Sequence, residues 1–179
     1  MWAVETGELQ RRYRQAIGRF ATGVTVITAR DGDRLAGMTA SAVASLSIEP
    51  PMLLVCVSNR LPTHEALERT RRFGVNVLGE GDEELARRFA RPAEDKFAGL
   101  RLNEEPGVPL LERAIARFVC DVHERLPGGD HSIFTGLIRH CEHVPGRRPL
   151  LYFASAFGGL QQVDDALGRS AELWALTGI

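Results

Sequence analysis

From Glu5 to Phe20 apolar side chains return at Leu9, Tyr13, Ile17 and Phe20, the three- and four-residue spacing of one helix face, with arginines between them. The spacing predicts an amphipathic helix lying on the body of the domain. At Gly23 the period drops to two: "GVTVITA" alternates and is β-branched, and the Asp31-Gly32 pair after it favours a tight hairpin, so the stretch "GMTASAVASLSIEPP" is expected as the returning strand. "MLLVCVS" and "FGVNVL" are continuous apolar runs that predict buried strands, separated by a short helix over "PTHEALERT". "GDEELARRFA" predicts a further helix with Asp82 as its N-cap and Glu83 and Glu84 in the first turn.

"LNEEPGVPL" has the Asn, Pro and Gly content of a loop. Beyond it "IARFVCDVHERL" and "HSIFTGLIRHCEHV" predict two long strands joined at Pro127-Gly128-Gly129-Asp130, and "PLLYFASAF" predicts one more. The tail has helical spacing at Ala166, Leu167, Leu173 and Trp174, weakened by Gly168. Hairpin-linked strands with few helices between them predict a mainly β chain, an antiparallel sheet rolled into a β-barrel with a few peripheral helices, rather than a doubly wound α/β sheet. One domain over residues 1–179 is expected, with its core over about 15–162 and a helical tail at 163–179.

Charge narrows the partners. Twenty-two basic and 23 acidic residues leave a net charge of −1, without the basic excess that a phosphate backbone demands, so nucleic acid is not expected. Cys56, Cys120 and Cys141 are odd in number and form no CxxC pair, which argues against a disulfide framework and for a reducing, cytoplasmic setting. No apolar run reaches the length of a membrane span, and none forms the core of an export signal, so a soluble protein is expected. His140 and His143 form HxxH, but on a strand residues three apart point to opposite faces, so no metal is expected. GxGxxG, GxxxxGK[ST] and GxSxG are all absent, which removes Rossmann and P-loop nucleotide binding and serine hydrolysis from consideration.

The chemistry concentrates in "GMTASAVASLSIEPP". If Thr39 to Ile48 is one strand, Thr39, Ser41, Ser45 and Ser47 share a face, and Ala40, Ala42, Ala44, Leu46 and Ile48 share the other. A face of small hydroxylated residues lets a flat polar ligand approach the backbone and binds carbonyls, ring nitrogens or phosphate oxygens without a charge. The same composition also suits an ordinary surface strand, and the alanines suit a helix.

Together "FATGVTVITA", "GMTASAVASLSIEPPMLLVCVSN", "FGVNVL", "LARRFA" with "EDKF", and "GDHSIFTGLI" resemble the short-chain flavin reductases, the reductase components of two-component flavin-dependent monooxygenases. The resemblance runs in order from about Phe20 to Leu160. It implies a split β-barrel that binds FMN or FAD and oxidises NADH or NADPH as co-substrate. It also implies a homodimer and a separate flavin-dependent oxygenase served by diffusible reduced flavin. Thr39, Ala40, Ser41 and Ala42 match the segment lining the flavin ring, and Ser45 and Ser47 the part nearer the ribityl chain and phosphate. Ser58, Asn59 and Arg60 match a phosphate-contacting strand end, and Phe73, Asn76 and Lys96 match segments approaching the cofactor tail.

His131 matches the histidine beside the nicotinamide pocket, whereas its position alone also suits an exposed turn histidine. Tyr152 is a further candidate for flanking a ring, with a core role as the alternative. The segment "ASAFGGL" departs from the family's larger polar or basic residues, which leaves the choice between NADH and NADPH open. Arg87, Arg88 and Arg91 are expected on a solvated helix face, with contact to a phosphate as the alternative. The function expected is an NAD(P)H:flavin oxidoreductase. The alternatives are a flavin-binding carrier or sensor without turnover, and a reductase that keeps its flavin while reducing another small substrate.

Overall fold

The computed structural model describes residues 6–93, 95–103 and 107–160; the predicted C-terminal helix lies outside them. The chain runs α1 (Thr6–Ile17), β1 (Thr22–Gly23), β2 (Thr25–Asp31), β3 (Arg34–Ala40), β4 (Val43–Ile48), β5 (Pro51–Ser58) and α2 (Pro62–Thr70). It continues through β6 (Arg72–Val77), α3 (Glu83–Ala90), β7 (Leu102–Asn103), β8 (Leu110–Leu111), β9 (Ala116–Gly128), β10 (His131–His143), β11 (Leu150–Phe153) and β12 (Ala156–Gly159). The mainly β expectation holds, and the neighbouring pairs of β2 to β6, β9 and β10 are antiparallel throughout.

Seven strands form one sheet in the order β3-β2-β6-β9-β10-β5-β4. Its two edge strands, β3 and β4, are consecutive in the chain and separated by only Ser41 and Ala42. Two residues span at most ~7 Å, so the sheet has to curl until its edges meet, which makes it a barrel. The Ala42 carbonyl accepts a 3.0 Å bond from Cys56 N as the chain crosses to the β5 side. The expectation of one continuous strand from Thr39 to Ile48 is therefore corrected. The crossover and a register shift between Ser45 and Ser47 break the alternation, and Leu46 and Ile48 are exposed.

β2 is buried on both faces, and its period of two explains why. Ile27 and Ala29 join a core with Val55, Leu67, Phe73 and Phe134, whereas Val26 joins a second core with Leu85, Phe89, Phe97 and Leu150. The second core seats α3 against β3. At the contact the chain has Gly37, whose Cα lies so close to Phe89 and Phe97 that an added Cβ would stand 2.6 Å from the Phe89 ring. Lys96 fastens the same joint, donating from Nζ to the carbonyls of Gly37 (3.1 Å) and Phe89 (3.0 Å).

Three further expectations are revised. The α1 face of Leu9, Tyr13, Ile17 and Phe20 is not laid on the body of the domain; these residues are 50–70% exposed. The predicted loop over residues 102–110 carries the short β7–β8 ribbon at its ends. "PLLYFASAF" folds as a hairpin, because Ala154 and Ser155 both take positive φ (48° and 65°) and turn β11 back into β12. Asp82 does occupy the N-cap of α3, but its buried carboxylate reaches back to Gly79 N (3.1 Å) and pairs with Arg113 (2.8 Å) instead of capping the helix.

Candidate functional site

An open cleft of about 300 Å³ lies where the barrel crossover, α3 and the β11–β12 hairpin meet. Its floor is Val24 with Thr39, Ala40 and Ser41 at the end of β3; one wall is Arg87, Ala90 and Arg91; the other is Tyr152, Ser155 and Phe157. α3 turns its buried side, Leu85, Ala86 and Phe89, to the core and Arg87 and Ala90 to the cleft, where Arg91, the extended C-cap residue, continues the wall. Thr39 Oγ1 donates 2.6 Å to the Ala86 carbonyl, so its hydroxyl ties floor to wall. The Tyr152 and Phe157 rings pack 5.3 Å apart, and the Arg87 guanidinium lies 4.9 Å from the Phe157 centroid, a cation–π contact. Among the described residues no acidic side chain lines the cleft.

Thr39, Ala40, Ser41 and Tyr152 are thus brought together as the sequence suggests. Arg87 and Arg91 are solvent-exposed, as expected, yet the exposed face is a cleft wall. Arg88 points elsewhere and donates to the Ala98 carbonyl. Sequence reasoning missed Ser155 and Val24 as lining residues and ranked the solvated face above a ligand role for Arg87 and Arg91. The i, i+3 spacing of Arg87 and Ala90 was the available signal for a shared face.

A second group gathers at the β5 end of the barrel. Ser58 pairs in register with His131, and the β9–β10 turn is made by Gly129, at φ 74°, and Asp130. Asn59 binds this turn, donating from its backbone N to Asp130 O (3.1 Å) and from Nδ2 toward Gly129 O (3.5 Å). Ser132 donates 2.9 Å to Asn59 Oδ1 and lies 2.9 Å from Nε2 of the buried His64, which meets Phe134 edge-on. His64 and Ser132 are the members of this network that the sequence did not single out.

His131 is half-buried and bonds Asp130 Oδ1 through Nδ1 (2.8 Å). That bond, helped by the positive charge available at His131 and at Arg60, holds the Asp130 carboxyl below the usual range. Ser58, Asn59, Arg60 and His131 therefore share one rim. The crossover joins the same end of β5, since Ala42 O is bound by Cys56 N, two residues before Ser58.

Other candidates lie elsewhere. Phe73 is fully buried in the first core. Asn76 is also fully buried and fully used: Nδ2 donates to Val26 O (3.0 Å) and Thr28 Oγ1 (3.2 Å), and Oδ1 accepts from Leu111 N (2.7 Å). In this structure both side chains serve as structural ties inside the barrel. Lys96 is spent on the two carbonyls that fasten α3, and burial holds its ammonium below the ordinary lysine range. Ser45 and Ser47 stand on the edge strand β4, outside the cleft lining. Among the described residues no group of His, Cys, Asp and Glu could hold a metal, and no helix is long and apolar enough to cross a membrane.

Residues 17–161 match the family described as the flavin reductase like domain. The chain is 38% identical over 160 residues to the reductase component of 4-nitrophenol 4-monooxygenase/4-nitrocatechol 2-monooxygenase from Rhodococcus opacus, covering 89% of this chain and 86% of that one. It is 38% identical over 150 residues to an NADH-dependent FAD reductase of Streptomyces globisporus, covering 80% and 82% respectively. Among solved structures it superposes with a TM-score of 0.81 on the Streptomyces globisporus C-1027 NADH:FAD oxidoreductase SgcE6 in complex with NAD and FAD fragments. There the identity is 35%, over 92% of this chain and 99% of that one.

Proposed function

This chain belongs to the flavin reductase-like domain family, and from that premise we propose that it is an NAD(P)H:flavin oxidoreductase, a single domain that reduces FMN or FAD and supplies reduced flavin to a separate monooxygenase. The observation that carries the proposal is the cleft floored by Thr39, Ala40 and Ser41. Small side chains leave the backbone approachable by a flat ring, and the lining offers hydroxyl and guanidinium donors with no carboxylate among the described residues to repel phosphate. These residues fit a flavin. When bound, it supplies the redox chemistry, accepting a hydride from the reduced nicotinamide.

The chain's own part is binding and orientation. Ala40 and Ser41 receive the ring; Tyr152 and Phe157 give an aromatic wall; Thr39, already bonded to Ala86, keeps α3 at a fixed distance from the floor. Ala42, Ser45 and Ser47 continue the ligand's path along the crossover toward the rim of Ser58, Asn59 and Arg60. His131, held through Asp130 on a turn that Asn59 pins, is the residue assigned to orienting the nicotinamide against the flavin ring. No side chain has to act as nucleophile or strong acid.

A homodimer accompanies this reading, supported by the exposed apolar faces of α1 and β4, Tyr13, Phe20, Leu46 and Ile48 among them. Sedimentation at micromolar concentration tests it, a monomer being the contrary result. The free thiols of Cys56, Cys120 and Cys141 support a cytoplasmic setting. For the activity itself, purified protein is mixed with NADH or NADPH and FMN or FAD, and nicotinamide absorbance is followed. Oxidation that requires flavin is expected; its absence with both dinucleotides refutes the proposal.

A further inference from the structure

We infer that Arg87 and Arg91 form a phosphate clamp on the α3 wall of the cleft, separate from the Ser58–Arg60 rim. The inference rests on the reading of the cleft as the nucleotide site. Arg87 on α3 and Arg91 at its C-cap both line the cleft, and among the described residues neither forms an ion pair with a carboxylate. Glu83 and Glu84 stand four and three residues before Arg87, the spacing at which helical ion pairs form, yet neither pairs with it. Arg87 lies over the Phe157 ring instead. A cation–π contact of this kind fixes one face of the guanidinium and leaves its in-plane N–H donors directed outward.

The wall is also rigid. Thr39 to Ala86, Lys96 to Gly37 and Phe89, and the close packing of Phe89 on Gly37 hold α3 to β3 at three points. Two forked cations, one on a fixed helix and one at its C-cap, facing Ser41 and Ser155 with no acid among the described lining residues, match the shape and charge of a phosphate or pyrophosphate. In a chain of net charge −1 this is a local feature, not a consequence of overall basicity. The phosphate can belong to the flavin or to the nicotinamide dinucleotide; the chemistry is the same and the ligands differ.

The test compares wild type with Arg87→Gln, Arg91→Gln and the double variant. Flavin affinity is read by fluorescence quenching with riboflavin, FMN and FAD. Steady-state KM is read with NADPH, NADH and phosphate-free reduced nicotinamide riboside. Loss of charge-assisted bonds predicts that the double variant binds its phosphorylated ligand about tenfold or more weakly, with a loss that shrinks at high salt. Binding of the phosphate-free analogue is expected to change less than about twofold.

A fall in the FMN-to-riboflavin or FAD-to-riboflavin preference assigns the clamp to the flavin. A fall in the preference for NADPH or NADH over the riboside, with flavin preferences intact, assigns it to the dinucleotide. If all these preferences stay unchanged, or if phosphorylated and phosphate-free ligands weaken equally, the inference is overturned. Its failure is distinct from failure of the functional reading, because wild-type protein without flavin-dependent oxidation sinks only the latter.

Discussion

Gly37→Ala tests how the cleft wall is held. The glycine lies in β3 without a positive φ, so the backbone itself accepts alanine. The obstacle is space: the new Cβ would stand 2.6 Å and 2.9 Å from two Phe89 ring carbons and 2.9 Å from Phe97 Cζ. Both rings are buried and packed edge-on at 5.0 Å, so neither can swing aside without the other. Overpacking of this kind costs about 1–3 kcal/mol. Alanine returns about 0.4–1 kcal/mol by reducing the freedom of the unfolded chain. The expected net loss is about 1–2 kcal/mol, and with a urea m-value of ~2 kcal/mol/M it lowers the unfolding midpoint by about 0.5–1 M.

The strain has to be relieved by moving α3 outward, taking Arg87 and Arg91 with it. Flavin affinity should therefore fall along with stability. Gly158→Ala is the control, since its added Cβ meets nothing within 4 Å, and it is expected to leave both measurements unchanged. A Gly37→Ala protein as stable as wild type, with undiminished flavin affinity, would refute the argument that this contact sets the position of the wall.

Ser41→Leu places a branched side chain at an exposed position on the cleft floor, and should weaken flavin binding about tenfold or more while leaving the unfolding midpoint within error. Equal loss of stability, or unchanged affinity, contradicts the assignment of the floor. His131→Ala should raise KM for the nicotinamide several-fold with flavin affinity kept within about twofold; unchanged kinetics remove His131 from the site. Burial first, then the charges of Asp121 and Cys141, push the Cys120 thiol from an ordinary 9.0 up to about 12. Above pH 9 the unfolded chain therefore releases this proton before the folded one does, and stability should fall as pH rises toward 12. Cys120→Ala should make that decline shallower, and in the native protein a thiol reagent should label exposed Cys141 long before Cys120.

The barrel was legible because its strands announce themselves. "GVTVITA" is β-branched, Asp31-Gly32 marks one turn and Gly129-Asp130 another, and each hairpin formed where those residues allow it. The crossover was less legible. Alternation from Thr39 to Ile48 suggests one strand, but joining the two edges of a rolled sheet is a demand of the whole fold that a local pattern cannot carry. The turn in "ASAFGGL" was hidden for the opposite reason: Ala154 and Ser155 adopt left-handed backbone without a glycine, so no turn residue marks it.

At the candidate site, Thr39, Ala40, Ser41 and Tyr152 could be picked out through resemblance. The structural bonds of Asn76 and Lys96 to Val26, Leu111, Gly37 and Phe89 could not be read from the sequence, since only the folded chain brings those backbone groups to them. Arg87 and Arg91 have the composition of any solvated helix face. What sets them apart is the hairpin that stands opposite them.

The most direct test of the central claim is a single assay: purified protein, NADH or NADPH in excess, and FMN or FAD added last while nicotinamide absorbance is recorded. The account predicts negligible oxidation before flavin is added and sustained oxidation afterwards, with a rate that saturates in flavin. An unchanged trace with either flavin and both dinucleotides would contradict it.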